Sequence, residues 1–92
     1  MDDRLNARIR EAVKSWVQKT YNSMEIIVGL ADEDKVDDDE GERYLVDFAV
    51  RTVGYWLVAE VWVVDDEIQS VNDLGEGLPL DDTRWPWPVV NP

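Results

Sequence analysis

The 92-residue chain contains no cysteine and no histidine. Without cysteine there is no disulfide and no thiolate nucleophile. Without histidine, the usual zinc ligand and the usual neutral-pH general base are both missing. Basic side chains are scarce as well: nine Lys and Arg stand against 21 Asp and Glu, a formal net charge of −12. No apolar run approaches the roughly 18 residues that a membrane-spanning helix needs. The start, Met1-Asp2-Asp3-Arg4, lacks the basic-then-apolar pattern of a secretion signal. The chain also has no Gly-rich phosphate loop and no nucleophile beside a base. These absences lead us to expect a soluble, cytoplasmic, non-catalytic protein with no cofactor, no metal and no membrane partner.

What is present is enough to fold. Hydrophobic residues make up 45% of the chain and include five Trp, well above a disordered composition. A chain of this length forms one domain that buries about 60–70% of its unfolded surface. Residues 1–82 are expected to form a single α+β domain, and residues 83–92 an extended tail. Charge is unevenly spread: residues 1–20 hold five basic and three acidic side chains (net +2), residues 21–92 four basic and eighteen acidic (net −14). An acidic body repels nucleic acid and anionic lipid and attracts a basic protein surface. Thirteen Asp against three Lys also fits adaptation to a salty cytoplasm, in which acidity serves solubility alone.

Leu5, Ile9, Ala12, Val13, Trp16, Val17 and Thr20 recur at helical spacing, behind Asp2 and Asp3, which suit a helix N-terminus. The spacing predicts a helix over 3–20, with Arg4, Arg8, Glu11, Lys14, Ser15, Gln18 and Lys19 on its polar side. A first strand over 24–31 alternates Met24, Ile26, Val28 and Leu30 against Glu25, Ile27, Gly29 and Ala31. Residues 32–42 are eight-elevenths acidic and read as a solvated hairpin connection, with Asp37, Asp38, Asp39 and Glu40 as a docking patch for a basic partner. Their spacing does not meet the EF-hand pattern.

Residues 43–64 dominate the chain, because they are mostly β-branched or aromatic and are interrupted by Gly54 alone. They predict two strands, 43–52 and 55–64. The first sends Tyr44, Val46, Phe48 and Val50 to one side. The second is apolar on both sides: Tyr55, Leu57, Ala59, Val61 and Val63 on one, and Trp56, Val58, Trp62 and Val64, broken by Glu60, on the other. A strand apolar on both faces is expected to be central and covered twice. Asp65-Asp66 reads as a tight turn into a short fourth strand over 67–71, followed by loop to 82. In the tail, Trp85-Pro86-Trp87-Pro88, each Trp precedes a Pro and is pushed toward extended conformations.

The expected architecture is an N-terminal helix packed on one face of a four-stranded antiparallel meander, across Met24, Ile26, Val28, Tyr44, Phe48, Leu57 and Val61. This outline resembles the cystatin-like and NTF2-like group of curved-sheet folds, in which a helix packs in the curve of the sheet. The resemblance is one of element order and implies no activity. The second face would carry Ile27, Leu45, Ala49, Trp56, Val58, Trp62 and Val64 around Arg43, Asp47, Arg51 and Glu60. So large an apolar area calls for a cover. Three are open: Trp85 and Trp87 of the tail, a second subunit packed sheet to sheet as a homodimer, or a partner or small ligand in the concavity.

Asp47, Glu60 and Glu25 share that face with Arg43 and Arg51. Paired carboxylates can divide acid and base roles, but cross-strand Arg–carboxylate pairing accounts for the same residues more simply. The functional expectation is therefore a non-catalytic interaction module, an inhibitor or adaptor of a basic-surfaced protein such as a nucleic-acid-binding one, using Asp47, Arg51, Trp56, Val58, Glu60, Trp62, Trp85 and Trp87. A salt-adapted homodimer and a small-ligand-binding protein are the alternatives.

Overall fold

The computed structural model describes residues 3–34, 41–75 and 86–87. One helix, α1 (Asp3–Tyr21), precedes four strands: β1 (Ile26–Asp34), β2 (Glu42–Val50), β3 (Trp56–Val64) and β4 (Glu67–Gly75). The strands form one antiparallel sheet in the order β1-β2-β3-β4, so β3, the strand apolar on both sides, is interior. The class is α+β, with the helix on one face of the meander.

Leu5, Ile9, Val13 and Val17 of α1 lie four residues apart along one line and are all buried. They meet Tyr44, Val46, Phe48 and Val50 of β2 and Leu57, Ala59, Val61 and Val63 of β3 in one core. Phe48 anchors the helix end: Trp16 meets it edge-on at 5.9 Å, and Tyr21 packs against it at 5.8 Å. The helix stops at Asn22, whose φ of 49° is the left-handed conformation common just past a helix C-terminus. Asn6 donates to the Ala31 carbonyl at 3.1 Å, and Tyr21 donates to Asp73. The helix therefore runs antiparallel to β1.

The turns follow from the residues that form them. Asp65 and Asp66 both have positive φ, 50° and 62°, as a two-residue hairpin turn matched to strand twist demands. Asp tolerates that region better than most residues. Gly54, with φ 91°, completes the β2–β3 turn, which is closed by the Val53 and Gly54 amides on the Val50 carbonyl.

Several expectations change. The alternation of the first strand is interrupted by a register shift between Val28 and Ala31. This bulge moves Ala31 into the core and turns Leu30 out, 67% exposed. Met24, expected under the helix, precedes β1 and is 80% exposed. Tyr55 belongs to the turn and is exposed, and Arg51 lies beyond the end of β2. β1 and β4 both run further than expected, to Asp34 and Gly75. Both are edge strands, which can carry polar residues along a side open to water.

Candidate interaction surface

The register places the outer face, opposite α1, residue by residue. Ile27, Ala49 and Trp56 form one row, because Ile27 pairs with Ala49 and Ala49 with Trp56. Asp47 and Val58 form the next, then Leu45, Glu60 and Asn72, then Arg43, Trp62 and Ser70. Five of the expected interaction residues, Asp47, Trp56, Val58, Glu60 and Trp62, are thus brought to one face, with Arg43 beside them. Arg51 is not among them. It sits in the β2–β3 turn and pairs with Glu25 at 2.8 Å, both half-exposed.

Glu60 is the hub of the polar part. Its Oε2 lies 2.7 Å from Arg43 Nε, and its Oε1 accepts from Trp62 Nε1 at 2.9 Å. Arg43 and Glu60 keep 24% and 17% of their side-chain surface in water, so the pair is largely desolvated. One carboxylate thus holds the guanidinium and the indole together, and a patch that looks reactive in sequence is internally matched. Asp47 is half-buried beside it. Gly29 allows β1 to approach, since a Cβ there would lie 3.2 Å from the Asp47 carbonyl oxygen.

The Trp56 end differs. Trp56 is 5% exposed and Ala49 fully buried, yet neither belongs to the helix-side core. Val58 is half-buried, whereas Ile27 and Val64 remain exposed.

Carboxylates gather at the opposite end of the sheet. β1 and β3 finish there and β2 and β4 begin there, which brings Asp32, Glu33, Glu42, Asp65, Asp66 and Glu67 to one pole, all exposed. The pole also affects a buried phenol. Burial first, then its hydrogen bond to Glu42 and the nearby charges of Glu42, Glu33 and Asp66, push the Tyr44 hydroxyl far above the usual tyrosine range. Tyr21 is raised likewise by burial and by its hydrogen bond to Asp73.

Asp37, Asp38, Asp39, Glu40 and Trp85 lie outside the described residues. Among the described residues no group of three or more His, Cys, Asp or Glu could hold a metal ion, and no helix is long and apolar enough to cross a membrane. An open groove of about 330 Å³ lies between α1 and β1, lined by Ala7, Arg10, Glu11, Lys14, Ile26 and Val28. It shares no residue with the outer face. Residue pattern alone does not reveal it, because the groove depends on how far the helix stands off the edge strand. Comparison of the chain with protein-family models, with curated proteins and with solved structures found no match in any of the three, so the resemblance to curved-sheet folds rests on element order alone.

Proposed function

We propose that this protein is a non-catalytic interaction module whose acidic pole engages a basic-surfaced protein, as an inhibitor or adaptor. The observation that carries the reading is the convergence of Asp32, Glu33, Glu42, Asp65, Asp66 and Glu67 at one end of the sheet, each exposed, in a chain of net charge −12. Like charges brought together on a fixed scaffold repel one another. A basic partner relieves that repulsion and is steered toward the pole. The engagement of Glu60, ion-paired with Arg43 and accepting from the Trp62 indole, supports the non-catalytic part, since both carboxylate oxygens are already committed within the sheet. Capture from the source cell, followed by titration against the captured protein, tests the reading. Neutralising Asp32→Asn, Asp65→Asn, Asp66→Asn and Glu67→Gln keeps the turn chemistry and is expected to weaken binding at least tenfold, as is raising salt from about 0.05 to 0.5 M. An affinity that is indifferent to both changes would refute it.

Salt adaptation is favoured by the same exposed carboxylates and predicts something different. Folding would then require molar salt, and no protein would be retained through the acidic pole.

A further inference from the structure

The outer face is closed at one end by something other than the helix. Trp56 has only 5% of its surface in water, and its indole nitrogen is wholly out of solvent. Ala49 beside it is fully buried, and both stand outside the core cluster. The adjacent turn does not supply the cover, because Val53 packs toward the helix-side core and Tyr55 is exposed. A ring as large as indole disappears from solvent only under another large group.

A second observation comes from the far end of the chain. Trp87 has lost most of its surface while Pro86, just before it, is exposed. The topology brings the two together. Gly75, the last residue of β4, pairs with Val58, two positions from Trp56, so the chain leaves the sheet at the end where Trp56 and Ala49 lie. From there Trp87 is twelve residues away (87 − 75), a reach of up to about 40 Å. Crossing from β4 to β2 takes only about 10 Å.

The geometry points to Trp87 as the cover. Trp87 docks on the Ala49–Trp56–Val58 end of the outer face, beside the exposed Ile27, and that end is a binding surface for this chain's own C-terminal sequence. The chemistry suits it. A Trp followed by Pro is already confined to extended backbone, so little freedom is lost on docking, and aromatic-lined sheet surfaces accept such segments through their rings. The surface is distinct from the acidic pole at the opposite end of the sheet, so this inference and the proposed function stand or fall separately.

The test uses the full chain labelled with 5-fluorotryptophan, each of the five ¹⁹F signals assigned by a single Trp→Phe substitution. In Trp87→Ala the Trp56 signal is expected to move and to gain the solvent isotope shift it lacks in the wild type. A synthetic peptide of residues 83–92 added to that variant is expected to restore it. Trp87→Phe, which keeps an aromatic ring, retains most of the protection and shows that the effect is not loss of folding. In a Trp56→Ala/Trp87→Ala cycle the unfolding constants are expected to be coupled by about two- to tenfold. The inference is overturned if the Trp56 signal in Trp87→Ala matches the wild type. It is equally overturned if Trp56 becomes exposed on dilution while the tail is intact, which would make a second copy the cover.

Discussion

Removing the Glu60 carboxylate isolates what the polar half of the outer face contributes. In Glu60→Ala, Arg43 loses the oxygen 2.7 Å from its Nε, and the Trp62 indole loses its acceptor at 2.9 Å. A fully exposed ion pair contributes about 0–1 kcal/mol, and breaking a fully buried one costs about 3–5 kcal/mol. With 24% and 17% of the two side chains in water, the pair lies between these limits. Adding a lost hydrogen bond of about 1 kcal/mol, the expected destabilisation is about 2 kcal/mol. For a domain of this size that lowers Tm by roughly 8–16 °C. Glu60→Gln keeps an acceptor for Trp62 and discards the charge, so it should cost about half as much. Urea unfolding of Glu60→Ala, Arg43→Ala and the double variant measures the coupling directly, and about 1 kcal/mol is expected. If Glu60→Ala is as stable as the wild type, or the two substitutions add without coupling, then Glu60 is not a structural tie. The carboxylate would then be available for chemistry.

Gly41 has φ 147°, and a Cβ there would sit 2.6 Å from the Val63 carbonyl oxygen, whereas a Cβ at Gly75, φ 81°, meets nothing within 4 Å. Gly41→Ala should therefore cost about 2–3 kcal/mol in urea unfolding and Gly75→Ala about 1 kcal/mol; equal effects would show that the contact with β3 does not matter. The raised pKa of Tyr44 makes stability fall in alkali, because the folded state keeps a proton that the unfolded state releases near pH 10. This contribution is complete below pH 10 and lost above it, about 1.4 kcal/mol by pH 11. Tyr44→Phe should flatten the stability–pH curve above pH 10 by one proton and leave the slope due to Tyr21; an unchanged slope would refute the assignment.

The helix and β2 were legible because each buries one regular face. Four apolar residues at fourfold spacing, or four at twofold spacing, have one way to meet a core. β3 was legible for the opposite reason, since two apolar faces require an interior position. The edges were not. Met24, Ile26, Val28 and Leu30 alternate without interruption, and nothing in that pattern announces the bulge that puts Ala31 in the core instead of Leu30. Asp32, Glu33 and Asp34 read as loop, yet they pair with β2. Water solvates one side of an edge strand, so charge is no bar to pairing there. Of the site, the face assignment of Trp56, Val58, Glu60 and Trp62 was readable from alternation. Arg–carboxylate pairing across the strands was readable too, and Arg43–Glu60 and Arg51–Glu25 carry it; that Trp62 joins Arg43 on Glu60 was not, because it depends on the rotamer of a residue two positions along the same strand.

The outer face meets the problem of a doubly apolar central strand in two ways, one at each end. Toward Trp62 it inserts Glu60, and a half-wet surface is tolerable because the carboxylate joins a cation and an indole that would otherwise be desolvated without compensation. Toward Trp56 apolar packing takes over: Trp56 and Ala49 are almost wholly out of water, although Ile27 at the margin stays exposed. The two ends should therefore respond oppositely to salt. Screening weakens the Arg43–Glu60 tie, whereas an excluded salt such as sulfate strengthens an apolar contact.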